Sequence, residues 1–227
     1  MKHYVVILIV SALFIGCTSG GRPSNADHSG HDMSANTNSS ARTATVDHNA
    51  MGHGDATNHS AMQSSPGAAS APYDLQFVDT MTAHHQGAVE MAMLAETRGQ
   101  HPELKQLAAN IVADQEREIA KMSKWRERLF AEKPKATNMA LPGMTRGMGG
   151  MDLKKLEALK GNEFDLEFLR QMIPHHEGAV EMAKDLQKQD SYAELKELAS
   201  VIVKSQESEI QQMRDWLSKW QGEKLTN

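Results

Sequence analysis

One stretch of this chain occurs twice, and that repeat limits the possible folds more than any other feature. Phe77 to Ala92 reads F-V-D-T-M-T-A-H-H-Q-G-A-V-E-M-A, and Phe168 to Ala183, offset by 91 residues, reads F-L-R-Q-M-I-P-H-H-E-G-A-V-E-M-A. The register continues without a gap from Leu104–Trp125 to Leu195–Trp216. A unit repeated at that period is a supersecondary element that cannot cover its own apolar side and must stack on its neighbour.

The spacing inside the repeat carries chemistry. At about 100° per residue, Met81, His84, His85, Ala88, Met91 and Ala92 share one helix face. Met172, His175, His176, Ala179, Met182 and Ala183 do the same in the second copy. Each copy therefore aims two imidazoles and two thioethers in roughly one direction. Imidazole is a borderline ligand and thioether a soft one, a mixture that suits copper, Cu(I) in particular. The plain alternative is that the methionines fill gaps in a core and the histidines are satisfied core residues.

The helices follow from their punctuation. The first spans Pro72 to about Arg98, with Gly99 as its stop and Pro102 opening the next, which runs to Phe130. The second stripe is Leu104, Leu107, Ala108, Ile111, Gln115, Glu118, Met122, Trp125 and Leu129. Gln115 and Glu118 interrupt it, as Gln206 and Glu209 do in the second copy. A carboxylate on a core face is costly unless it is paired or bound to metal. Glu118 and Glu209 are therefore candidates to orient the histidines or to join the metal site, with Met122 and Met213 beside them on the same stripes. Glu90 and Glu181 point the other way and read as solvated.

Residues 131–151 read as a loop, with Pro134, Pro142 and four glycines. Met139, Met144, Met148 and Met151 lie in it. With no core to fill there, they read as accessory soft-metal ligands. Asp152 caps a short helix, Leu153 to Lys160, stopped by Gly161. A third long helix follows from about Asn162 to Gln189, with Pro174 inside it predicting a kink. Ser191 with Glu194 reads as a capping box opening a fourth, to about Trp220. The expected architecture is all-α: a four-helix bundle of two tandem helical hairpins, repeat one 73–130 and repeat two 152–221, facing each other about a pseudo-twofold axis. The alternative is two loosely joined pairs, each dimerising with another chain.

The first 17 residues carry no part of that bundle. A short n-region and an apolar run from Tyr4 to Ile15 read as an export signal too short to span a bilayer. Phe14-Ile15-Gly16-Cys17 resembles a bacterial lipobox, making Cys17, the chain's single cysteine, a candidate lipidation site. An ordinary signal peptide is the alternative. Residues 18–71, rich in Ser, Ala, Asn, Gly and His, read as a disordered tether. Within it D-H-S-G-H-D-M (Asp27 to Met33) and H-N-A-M-G-H-G-D (His48 to Asp55), then His59 and Met62, read either as a weak metal-collecting sequence or as a plain spacer.

M-x-x-H-H-x-G-A-V-E-M-A followed by Q-E-x-E-I-x-x-M-x-x-W resembles the signature of the bacterial domain-of-unknown-function 305 family. The resemblance covers about Tyr73 to Trp220 and is fuller in the second copy, where M-I-P-H-H stands against Met81-Thr82-Ala83 in the first. It implies a ferritin-like helical bundle and, from members of the CopM type, exported copper binding. It implies no particular reaction. Di-iron bundles place Glu-x-x-His on inward helix faces, whereas this chain has Met81-x-x-His84 and Met172-x-x-His175. Thioether in place of carboxylate turns that geometry from iron toward Cu(I) or Ag(I).

The formal net charge is -5 with mixed signs, and no basic patch points to nucleic acid. A lone cysteine excludes an intrachain disulfide and a cysteine zinc site. The expectation is an exported, lipid-anchored copper-binding protein of the bacterial envelope, serving tolerance, storage or delivery, with a copper-transport or efflux partner and homodimerisation as further options. The competing readings are a copper-dependent metalloenzyme and a structural lipoprotein without metal. No His2Cys copper centre or other catalytic arrangement is legible.

Overall fold

The computed structural model describes residues 62–224. Among them lie six α-helices: α1 Tyr73–Arg98, α2 Pro102–Phe130, α3 Met144–Gly149, α4 Leu153–Ala158, α5 Gly161–Lys188 and α6 Ala193–Lys224. The four long ones form an all-α bundle. α1 packs on α2 and α5 on α6, and the two hairpins meet through α1 and α5. Those central helices run antiparallel, since Tyr73 at the start of α1 hydrogen-bonds Asp185 near the end of α5 (2.5 Å). Burial, reinforced by the Asp185 carboxylate, pushes the Tyr73 pKa well above its ordinary value. The joining of α1 and α5 within one chain answers the alternative of two loosely connected pairs.

The repeat is honoured at its principal apolar positions. Phe77 and Phe168, Met81 and Met172, Leu104 and Leu195, and Ile111 and Ile202 are all buried. Each such side chain contributes roughly 1.5–3 kcal/mol of burial. Gln115, Glu118 and Gln206 are buried as well. Trp220 is the deeply buried tryptophan, whereas Trp216 and Trp125 are only partly covered.

Two aspartates tie the hairpins reciprocally. Asp165, near the start of α5, accepts the backbone N–H groups of Gln100 and His101 between α1 and α2 (2.8–3.1 Å), and meets His101 Nδ1 at 2.6 Å. Asp74, its counterpart 91 residues earlier on α1, accepts the N–H of Tyr192 between α5 and α6 (3.2 Å). These crossed ties are the signature of an approximate twofold relation between the copies.

The structure corrects several expectations at the ends and in the linker. Residues 62–71 are not tether. They carry a 3-10 turn at Ala68–Ser70, and Ser65 donates its N–H to the Thr137 carbonyl (2.8 Å). The earlier residues, with Cys17 and most of the His/Met tract, lie outside the described part. Asp152 does cap α4, accepting from the Lys155 N–H (3.0 Å). The Ser191–Glu194 capping box does not form: Ser191 Oγ has no partner, and Glu194 pairs with Arg128 instead. Pro174 lies inside α5, as expected. Glu181 is exposed, but Glu90 is half-buried.

The largest correction concerns residues 131–151. They are not an open loop. Residues 136–138 lie along a polar stripe of α1, where Asp79 accepts the Ala136 N–H (2.7 Å) and Thr80 Oγ1 the Asn138 N–H (2.8 Å). The chain then forms α3 and lays it on α5. Met144, Met148 and Met151 are buried in the main core and Met139 is half-buried at its edge, so the linker methionines do have a core to fill.

Candidate metal centre

His84 sits midway along α1 and His175 midway along α5, so the antiparallel packing brings them together. Their ring centroids are 3.9 Å apart at 46°. Both residues are buried, His84 with no exposed surface at all. Neither Nδ1 nor Nε2 of His84 has a hydrogen-bond partner. Leaving a buried polar group unsatisfied costs about 1–3 kcal/mol. Burial, with His85 and His176 adding to it, holds the His84 pKa well below the ordinary histidine range. A neutral imidazole with an unused ring nitrogen is the form that ligates metal.

The neighbouring histidines are placed differently. His85 Nε2 lies 2.7 Å from Glu118 Oε2, and His176 Nε2 lies 2.7 Å from Glu209 Oε2. Each imidazole N–H is directed at a carboxylate, so the ring is fixed and only Nδ1 remains, buried and without a hydrogen bond in both. Residues adjacent on a helix point about 100° apart. The inner pair meets across the bundle, while the outer pair turns back to its own hairpin partner. Among the described residues no group of three or more His, Cys, Asp or Glu is placed to hold a metal. The four histidines therefore do not converge into one nitrogen cluster.

Glycines let the linker close over that pair. A methyl group added to Gly147 of α3 would stand 2.1 Å from His84 Nε2. One added to Gly178 would meet the Gly143 carbonyl oxygen at 2.5 Å and Gly147 backbone atoms at 2.7 Å. α3 thus crosses α5 backbone to backbone. Gly143 itself has φ +83°, a conformation glycine adopts readily. At Gly87 an added methyl would lie 3.1 Å from Met151 Sδ and 3.4 Å from His175 Nε2.

Met81, Met91, Met172, Met182, Met122 and Met213 are all fully buried in the same core. Thr82 donates its hydroxyl to Met122 Sδ at 3.9 Å. Sequence reasoning missed the contributions of Gly87, Gly147 and Gly178, and of the tying aspartates. One signal was available: Asp74 and Asp165 extend the repeat three residues before Phe77 and Phe168.

The family profile described as Domain of unknown function (DUF305) matches residues 74–217. Among solved structures, CopM in the Cu(II)-bound form is 43% identical with a TM-score of 0.57, covering 65% of this chain and 97% of that one. CopM in an Ag-bound form is 41% identical (TM-score 0.55, 65% and 96%). A DUF305 protein of Streptomyces coelicolor, assigned as secreted, is 37% identical (TM-score 0.56, 65% and 93%). No curated protein matches the chain.

Proposed function

This chain belongs to the family described as Domain of unknown function (DUF305), and from that premise we propose that it is an exported binder of soft metal ions, copper first among them. The observation that carries the reading is His84: fully buried, without a hydrogen bond on either nitrogen, and facing His175 from the other copy. A fold that keeps a neutral imidazole in that condition is compensated when an ion takes the unused nitrogen. His84 and His175 would hold the ion. Met81, Met91, Met172 and Met182 line the surrounding core and favour Cu(I) over harder ions. Glu118 and Glu209 would act through His85 and His176, fixing ring orientation around the site. CopM, more than 40% identical, is described in copper-bound and silver-bound forms, which supports the same class of ion here.

The reading is of a binder more than of an enzyme, since the inner pair lies under α3 and the grooves on the outer faces between α5 and α6 and between α2 and α6 do not include it. Export and lipid anchoring rest on the apolar N-terminal run and the Phe14-Ile15-Gly16-Cys17 motif. They suit a role in envelope copper tolerance or delivery to an efflux partner, and membrane fractionation of a Cys17→Ser variant tests the anchor. The decisive experiment for the site is competition between Cu(I) and Zn(II) against chelators of known affinity. Cu(I) is expected to bind more tightly. Preference for Zn(II) would remove the thioethers from the site.

A further inference from the structure

The inner pair supplies only two strong donors, and the linker brings a third to it. Met151 follows α3 directly and is 5% exposed. A point 3.1 Å from its Sδ and 3.3 Å from its Cε is also 3.4 Å from His175 Nε2, and that point is where a Cβ on Gly87 would be. The thioether and the imidazole nitrogen thus both pack closely on the same face of Gly87, where a side chain would crowd them. Gly87 is one helical turn beyond His84 on the same face of α1. At His84 stands Gly147, close enough to Nε2 that the linker must pass there as bare backbone. The linker is therefore seated on the histidines at two points, with Met151 at one of them.

We propose that Met151 is a metal ligand, donating its thioether to the ion held by His84 and His175, so that one site is built from repeat one, repeat two and the linker between them. This rests on the His84–His175 pair being the ion site. Two imidazoles and one thioether form a mixed donor set suited to Cu(I) or Ag(I). The assignment gives Gly87 a function: its bare Cα lets the thioether and the imidazole nitrogen both come to the same point on α1.

The test uses the full chain labelled with 13C at the methionine methyls and titrated with Ag(I), which is diamagnetic and stays monovalent. The Met151 methyl is identified by its loss in Met151→Leu, a change that nearly conserves volume. The expected result is a shift of that methyl on addition of Ag(I), together with the His84 and His175 ring signals. Met151→Leu should weaken Ag(I) binding on the order of tenfold, about 1.4 kcal/mol, with an unchanged far-UV spectrum. Met139→Leu, at the edge of the core, should leave affinity as it is. Movement of the His84 and His175 signals with the Met151 methyl stationary overturns the proposal while leaving the histidine site in place. Ag(I) binding that moves neither histidine removes both.

Discussion

The inner and outer histidines are neighbours in sequence and equally buried, yet they are partnered differently. His85 and His176 each spend one nitrogen on a glutamate 33 residues away in the same hairpin. His84 spends none, and its nearest counterpart, His175, comes from the other hairpin. The outer pair stabilises each hairpin within itself. The inner pair is where the two hairpins bring their imidazoles face to face. The His-His dipeptide is thus divided by the rotation between consecutive residues, one ring tied to its own hairpin and the other, on the function proposed above, given to an ion.

The strongest way to break that division is to remove the inner pair. His84→Ala with His175→Ala should lower Cu(I) affinity on the order of a thousandfold, about 4 kcal/mol. The single variants should be non-additive, since either one dismantles the same site. Chelator competition reads the effect, and additive losses would point to two separate sites instead.

A smaller effect is expected in the opposite observable at the outer pair. His85→Ala leaves the Glu118 carboxylate, 8% exposed, without its imidazole. A loss of about 2 kcal/mol, or roughly 4–8 °C in Tm, should follow. Glu118→Gln keeps an acceptor toward His85 and should cost less in Tm, while weakening metal binding by about 10-fold through looser ring orientation. Thermal melts and affinities on the same set of variants would sharpen the comparison. An outer variant that melts normally yet loses all copper would invert it.

The smallest effect is in pH. Burial keeps His84 neutral below the pH at which an unfolded histidine takes up its proton. The unfolded chain then binds the extra proton, so stability of the metal-free protein should fall as pH drops below about 6.5. The contribution is at most about 1.4 kcal/mol per pH unit. His84→Leu should flatten the slope by that share. An unchanged slope in urea titrations at successive pH values would mean that His84 is not held neutral.

Most of the bundle was legible because the repeat and its punctuation are strong local signals. The observed α2 has the bounds expected from Pro102 and Phe130, and α1 differs by one residue at its start. The linker was not legible as a helix by length or composition, since glycines interrupt it. Its methionines did carry a signal: Met144, Met148 and Met151 fall at helical spacing, the pattern of a buried stripe. Adjacency of the histidines indicated a metal-competent face but not which nitrogens the glutamates occupy. Ser191 and Glu194 resembled a capping box by identity and offset, but Arg128 on α2 takes the glutamate, and no local pattern reveals a partner 66 residues away.

The crossed aspartate ties have a consequence for the order in which this protein can be made. Asp74 belongs to the first α-helix among the described residues to leave the ribosome, but its tie reaches Tyr192, 118 residues further along. Asp165 opens the second hairpin and must find a turn already synthesised. During translation the first hairpin has no second hairpin against which to bury its apolar face, and its leading carboxylate awaits a backbone donor near the end of the chain. Completion of folding is thereby deferred until almost the whole polypeptide has emerged. A nascent chain stalled between the repeats would present its uncovered face to any neighbouring chain carrying the missing half.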